Sequence, residues 1–105
     1  MKIQQAIETL VSGTSLSVNQ SSSIMGDIMS GEATPAQFGA FVTALRLKGE
    51  TADEIVGMAK VMREKSRRVD VGHLVADTCG TGGDSSGTFN ISTAAAFVVA
   101  GTGTK

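Results

Sequence analysis

The residues from 79 to 93 combine glycines with hydroxyl side chains, and these are the residue types in the chain best suited to chemistry. Backbone N–H groups hold a phosphate only where the chain comes close to it, and glycine is favoured because side chains block that approach. A helix start adds unpaired N–H groups and partial positive charge. The run therefore predicts a phosphate- or pyrophosphate-binding loop leading into a helix. Its glycines and hydroxyl residues are Gly80, Gly82, Gly83, Gly87, Thr81, Ser85, Ser86, Thr88, Ser92 and Thr93.

The commoner phosphate motifs do not fit this run. Gly82 and Gly87 have the P-loop spacing, but Thr88 and Phe89 stand where that motif needs lysine and a hydroxyl residue. Ser85 occupies the place of the third glycine in a dinucleotide fingerprint. A tight turn without a ligand is the structural alternative, but one turn needs fewer glycines and hydroxyls than this run has.

Three further residues near the loop have polar or reactive side chains. Asp84 should not touch phosphate, because like charges repel; we expect it to bind loop N–H groups or a sugar hydroxyl, or to help place hydrated Mg²⁺. His73 is expected to have a surface or packing role. Cys79 lacks a neighbouring base and is expected to be a small buried packing residue. A single cysteine excludes an intrachain disulfide and favours a reducing cytoplasm.

The first 68 residues predict a bundle of four helices with short connections. Residues 3–12 form the first, and hydroxyl residues followed three positions later by Gln or Glu start the others at Ser17, Thr34 and Thr51. Pro35 suits a first helical position. A basic run at 63–68 fits a solvated last turn, or else an interdomain or anion contact. The predicted buried stripes, whose methionines fill the core, are Ile3, Ile7, Leu10 and Val11; Ile24, Met25, Ile28 and Met29; Phe38, Phe41, Val42 and Leu45; and Ile55, Met58, Ala59 and Met62.

The character of the sequence changes after residue 68. Residues 74–78 predict a buried strand, and residues 92–100 predict a buried helix capped by Ser92 or Thr93. Strand, glycine loop and helix form the opening of an α/β unit. The fold expected is thus mostly α: an N-terminal helical domain at 1–68, then an incomplete α/β domain at 69–105, with the boundary near 66–73.

Composition excludes several functional classes. The 105 residues have a net charge of −1, which gives no electrostatic footprint for nucleic acid or an acidic membrane. No apolar run approaches the roughly 20 residues of a membrane span. The first residues lack the continuous apolar core of a signal peptide.

The glycine run and the helices together resemble one enzyme family. Residues 77–96 (DTCGTGGDSSGTFNISTAAA) resemble the anthranilate phosphoribosyltransferases of tryptophan biosynthesis, which are glycosyltransferases. Residues 29–37 (MSGEATPAQ) and 44–51 (ALRLKGET) resemble the helical segment of that family. The resemblance covers nearly the whole chain.

The resemblance implies that anthranilate nitrogen attacks C1 of phosphoribosyl pyrophosphate while Mg²⁺-bound pyrophosphate leaves. No catalytic side chain is implied, because stabilising the leaving charge is the main demand. Gly80 would also border anthranilate, and Ser92 would be a Mg²⁺ ligand. The substrate-binding residues implied are Gly80, Gly83, Asp84, Thr88, Asn90, Ile91, Ser92 and Thr93.

The resemblance also implies a cytoplasmic homodimer that pairs through the N-terminal helices. The family's later Mg²⁺-binding carboxylates are missing, so we expect an N-terminal portion that is inactive alone and has residues 70–105 less stably ordered. Two alternatives stay open: a pyrimidine-nucleoside phosphorylase-like enzyme and a non-catalytic helical dimerisation module. The residues 90–93 favour the transferase.

Overall fold

The computed structural model describes residues 1–80 and 86–105, and the chain forms two compact units, residues 1–67 and 68–105. The sequence placed the boundary between residues 68 and 69. Gly83 and Asp84, two of the predicted site residues, lie outside the described residues. The described helices are α1 (Ile3–Val11), α2 (Val18–Met29), α3 (Pro35–Lys48), α4 (Ala52–Lys65) and α5 (Ile91–Gly101).

Local capping sets the starts of three helices in the first unit. Ser17, Thr34 and Thr51 each accept a hydrogen bond from the amide three residues on, and the side chain at that position bonds back to the cap. Such a reciprocal pair satisfies two amides that the helix cannot. Pro35 occupies the first turn of α3, as predicted, and Gly49 ends α3 with a φ of 87°, where a side chain would be strained.

The first unit buries its core between two helix pairs. α2 packs mainly on α4 and α1 mainly on α3. Four members of the stripes predicted for α1 to α3 are instead exposed: Val11, Met29, Phe38 and Val42. The buried core cluster is Ile3, Ala6, Leu10, Leu16, Ile24, Phe41, Ala44 and Leu45.

The buried face of α4 is shifted by one position along the helix from the predicted face. Glu54 and Gly57 are buried, whereas Ile55 and Met62 are about half exposed and Ala59 is exposed. Only Met58 of the predicted stripe packs against the core. The expectation of a wholly apolar α4 face was therefore wrong, because the helix is positioned by close backbone packing and by an ion pair.

Gly57 makes that close packing possible. A Cβ at position 57 would collide with Ser21 Oγ and the Val18 carbonyl of α2. The hydroxyl of Ser22 donates to the Gly57 carbonyl at 3.0 Å. Because α2 sits directly on the backbone of α4, Gly57 itself is buried, whereas Val56 before it is about half exposed.

Glu54 joins three parts of the first unit. Its carboxylate accepts hydrogen bonds from the amides of Leu16 and Thr51, both at 2.8 Å, and from Lys48 Nζ at 3.0 Å. Lys48 Nζ also donates to Ser15 Oγ and the Gly49 carbonyl. The fully buried carboxylate thus ties the α1–α2 connection and the end of α3 to the start of α4.

The second unit consists of α5 and the segment before it. The strand predicted at 74–78 is not formed in the part of the chain that the structure describes; the Ala76 amide donates to the Lys105 carbonyl at 2.7 Å. A strand needs a neighbouring strand to pair its backbone groups. Within these residues α5 buries no side chain fully, and Phe97 is 78% exposed, contrary to the predicted burial.

No helix in the described ranges has the length and apolar character needed to cross a membrane.

Candidate phosphate-binding site

The start of α5 is fixed by Asn90, not by Ser92 or Thr93 as predicted. Asn90 Oδ1 accepts a hydrogen bond from the Thr93 amide at 3.2 Å, and the helix begins at Ile91. The short amide side chain of asparagine is well suited to the N-cap. Ser92 therefore lies inside the first turn, and its own amide has no hydrogen-bond partner among residues 1–80 and 86–105.

Gly80 lies directly against the first turn of α5. Its amide donates to Ser92 Oγ at 3.2 Å, and Thr78 Oγ1 donates to the Ser92 carbonyl at 3.1 Å. Before it, Asp77 Oδ1 accepts from the Cys79 amide at 2.8 Å and holds the turn. The chain entering the glycine loop is thereby joined to the helix that follows the loop.

Nothing in the described surroundings demands glycine at position 80. Its φ lies outside the left-handed range, unlike that of Gly87, which has a φ of 64°. The nearest described atom to a Cβ placed there would be Ser92 Oγ at 3.8 Å, an ordinary contact distance. A reason for glycine that packing does not supply is the close approach of a ligand to the backbone.

A cavity of about 350 Å³ opens at this junction, within the size range of small-molecule sites. Ser86, one of the hydroxyl residues of the predicted loop, contributes to it. Phe89 also contributes and was not predicted, because an exposed phenylalanine has no phosphate-binding chemistry to mark it. Thr93 does not line the cavity. The lining residues are Gly80, Ser86, Thr88, Phe89, Asn90, Ile91 and Ser92.

The two lone residues lie at the surface. His73 is exposed, in line with one of its predicted roles. Cys79 is also exposed, so the prediction of a buried packing residue was wrong. The reason is that the segment 69–80 lies on the surface of its unit, with only Thr78 partly buried.

The site offers oxygen and N–H groups rather than a metal cage. No cluster of three or more His, Cys, Asp or Glu residues able to hold a metal occurs in the described residues. Ser92 Oγ is a neutral oxygen donor that already accepts one N–H. Mg²⁺ commonly takes few protein ligands together with substrate phosphates and water. The donors present thus fit Mg²⁺ carried by a phosphorylated ligand.

Comparison with known proteins places both units. Residues 4–66 match the model of the glycosyl transferase family, helical bundle domain, and residues 72–105 match that of the glycosyl transferase family, a/b domain. The chain belongs to this glycosyl transferase family. The predicted fold class, a helical bundle followed by the start of an α/β domain, is confirmed for this family member.

Three similar curated relatives carry the same name. Anthranilate phosphoribosyltransferases from Pelotomaculum thermopropionicum, Dehalococcoides mccartyi and Chloroflexus aurantiacus are 60%, 58% and 58% identical to the chain over 102, 103 and 103 residues. These matches cover 96%, 98% and 98% of the chain. The chain spans about 30% of the length of each relative. The resemblance drawn from the sequence is confirmed.

Proposed function

We propose that this family member forms part of an anthranilate phosphoribosyltransferase and that its second unit supplies one wall of the phosphoribosyl pyrophosphate site. The observation that carries the proposal is the hydrogen bond from the Gly80 amide to Ser92 Oγ, which joins the start of the glycine loop to the first turn of α5. The shared name of relatives with about 60% identity supports anthranilate and phosphoribosyl pyrophosphate as the substrates. The reaction belongs to tryptophan biosynthesis.

The chemistry required matches the groups present. Transfer to anthranilate expels pyrophosphate, so the site must bind and stabilise growing negative charge. Ser92 and Thr88 line the cavity with their hydroxyl-bearing side chains, and the first turn of α5, the positive end of its dipole, lies beside it. The anthranilate nitrogen is itself the nucleophile, so no activated side chain is needed. Gly83 and Asp84 belong to the proposed site by the family motif alone.

Mg²⁺ is part of this proposal. When bound, the ion would supply further charge neutralisation on the pyrophosphate. Ser92 is the proposed protein ligand. Its Oγ accepts the Gly80 N–H with one lone pair, which leaves the second for a metal and its proton for a phosphate oxygen.

The test uses a hybrid enzyme in which these 105 residues replace the matching segment of the Pelotomaculum thermopropionicum relative. We expect the hybrid enzyme to consume anthranilate only with phosphoribosyl pyrophosphate, followed by the loss of anthranilate fluorescence. Gly80→Ala should lower kcat/KM for phosphoribosyl pyrophosphate about 10- to 100-fold, because the methyl group displaces one or two charge-assisted hydrogen bonds.

Gly101→Ala is the matched control, since this glycine ends α5 away from the cavity and a Cβ there has open space among the described residues. Its activity should equal that of the parent. A folded hybrid enzyme that instead cleaves uridine with phosphate would establish the nucleoside phosphorylase alternative. One with neither activity would refute the assignment of the site.

We further propose a cytoplasmic homodimer that pairs through the helices of the first unit. Phe38 and Val42 lie one turn apart on α3 and are 45% and 47% exposed, which is a large apolar surface for two residues of a bundle helix. Sedimentation equilibrium should show dimers for the chain and monomers for Phe38→Ser/Val42→Ser. Leu74→Ser, which removes an equally apolar exposed residue from the second unit, should leave the dimer intact. A monomeric parent at high concentration contradicts the proposal.

A further inference from the structure

Thr78 differs from its neighbours in the segment before the glycine loop. It is partly buried, whereas every other residue from 68 to 80 is exposed. The partly buried residues of α5 are Ser92, Ala95 and Val99, which follow one another at helical spacing on a single face. Thr78 and Val99 line the same small apolar cavity, so this face of α5 is the one turned toward Thr78.

Ser92 is held at two of its atoms from this segment. Thr78 Oγ1 donates to its carbonyl at 3.1 Å, and the Gly80 amide donates to its side-chain oxygen at 3.2 Å. Serine otherwise rotates among three rotamers. A hydroxyl that accepts one N–H in a fixed direction must point its own proton elsewhere, and the bond to the carbonyl keeps the backbone at position 92 in register with Gly80.

We propose that Thr78 is a positioning residue for the phosphoribosyl pyrophosphate site: its hydroxyl fixes the first turn of α5 against Gly80, so that the Ser92 hydroxyl and amide face the ligand. This inference rests on the proposed function. Thr78 does not line the ligand cavity, so its effect passes entirely through Ser92. The Ser92 carbonyl also lies within α5, where the helical hydrogen-bond pattern gives it an acceptor role. Removing the Thr78 hydroxyl should therefore leave the helix folded but less tightly held.

Three substitutions separate the hydroxyl from its surroundings. Thr78→Val keeps the shape and removes the hydroxyl, and Thr78→Ser keeps the hydroxyl and removes the methyl group. Thr102→Val removes a hydroxyl-to-carbonyl hydrogen bond of the same kind, from Thr102 Oγ1 to the Val99 carbonyl at 2.6 Å, at the other end of α5. It is the control for a general effect on the helix.

Each variant is made in the hybrid enzyme, and KM and kcat are measured separately for both substrates. We expect Thr78→Val to raise KM for phosphoribosyl pyrophosphate about fivefold, as for the loss of one hydrogen bond. KM for anthranilate and the thermal unfolding midpoint should stay near the parent values. Thr78→Ser should restore KM, and Thr102→Val should not change it.

The remaining outcomes would contradict either the role of Thr78 or the proposed function on which that role rests. Equal impairment by Thr78→Val and Thr78→Ser would assign the effect to packing of the methyl group and overturn the role of the hydroxyl. An unchanged KM in Thr78→Val would overturn it as well. If the parent uses phosphate and uridine, the proposed function is wrong, and the same comparison of KM for inorganic phosphate decides the role of Thr78. A parent that binds neither anion refutes both.

Discussion

Replacing Glu54 with glutamine should destabilise the first unit far more than the loss of an exposed carboxylate would. The carboxylate is fully buried and accepts three hydrogen bonds, from the amides of Leu16 and Thr51 and from Lys48 Nζ. Glutamine has the same shape but only one acceptor oxygen. In either orientation its NH₂ group faces an N–H donor, and the ammonium of Lys48, whose side chain is 6% exposed, loses its counter-charge.

The magnitude follows from what is left without a partner. Breaking a buried ion pair by removing one partner typically costs about 3–5 kcal/mol, and an unsatisfied buried amide costs about 1–3 kcal/mol. Because glutamine keeps one acceptor, we expect a loss of about 3 kcal/mol in the free energy of unfolding. In a unit of this size that corresponds to a fall of more than about 10 °C in the unfolding midpoint.

The assay is urea and thermal unfolding of the 105-residue chain, followed by far-ultraviolet circular dichroism. Asp53→Asn is the matched control: it removes a carboxylate from the same helical turn, but that residue is exposed. It should cost under about 1 kcal/mol. A loss below about 1 kcal/mol in Glu54→Gln, equal to that of the control, would refute the reasoning and class the pair with surface salt bridges.

Three further predictions concern the same unit. Burial by itself would raise the pKa of Glu54, but hydrogen bonds from two amides and from Lys48 outweigh it and hold the pKa below the usual 4.5. The stability that this carboxylate contributes is therefore present above its unfolded pKa and is lost as the pH falls through the lower folded pKa. The difference in unfolding free energy between the parent and Glu54→Gln should thus shrink in acid, and a difference independent of pH would contradict this. Gly57→Ala should destabilise the unit by about 1–3 kcal/mol in denaturant unfolding, because α2 leaves no space for a methyl group. Gly26→Ala, which has open space in the described structure, should instead stabilise it by about 0.5–1 kcal/mol, and equal effects of the two substitutions would show that helix propensity alone sets the change in stability. Thr34→Ala should cost about 1 kcal/mol by loss of the α3 cap, and Thr34→Ser should recover most of it.

The parts of the fold that were predictable depend on neighbours in sequence. The caps at Ser17, Thr34 and Thr51 join residues three positions apart, so the residues that make them are visible in the sequence. The burial of Glu54 and Gly57 was not predictable in this way, because it depends on α2 and on Lys48. From sequence, a glutamate in the first turn of a helix is expected to be a solvated capping residue, and only the packing of the first unit shows that Glu54 is buried.

For the glycine run, the sequence predicted a function but not a contact between residues that are distant in the chain. Residue types alone predicted an anion-binding loop, and the family motif supplied its residues, but neither revealed the link from Thr78 to Ser92. A threonine two positions before Gly80 gives no signal, because its partner lies 14 residues further on. The predicted strand was likewise not formed, because pairing depends on strands beyond the segment itself.

The identity of the α5 cap bears directly on function. A capping serine uses its side-chain oxygen to accept amides of its own helix, and Ser92 in that role would have had little left for a ligand. Because Asn90 caps the helix instead, the Ser92 oxygen is held by Gly80 from across the loop and its proton remains available to a phosphate. The prediction placed the cap at Ser92 or Thr93, two or three residues late, and a capping role at Ser92 would have conflicted with the ligand contact that we propose for its hydroxyl. A substitution of Asn90 should consequently impair both helix stability and anion binding, whereas one at Ser92 should impair binding alone.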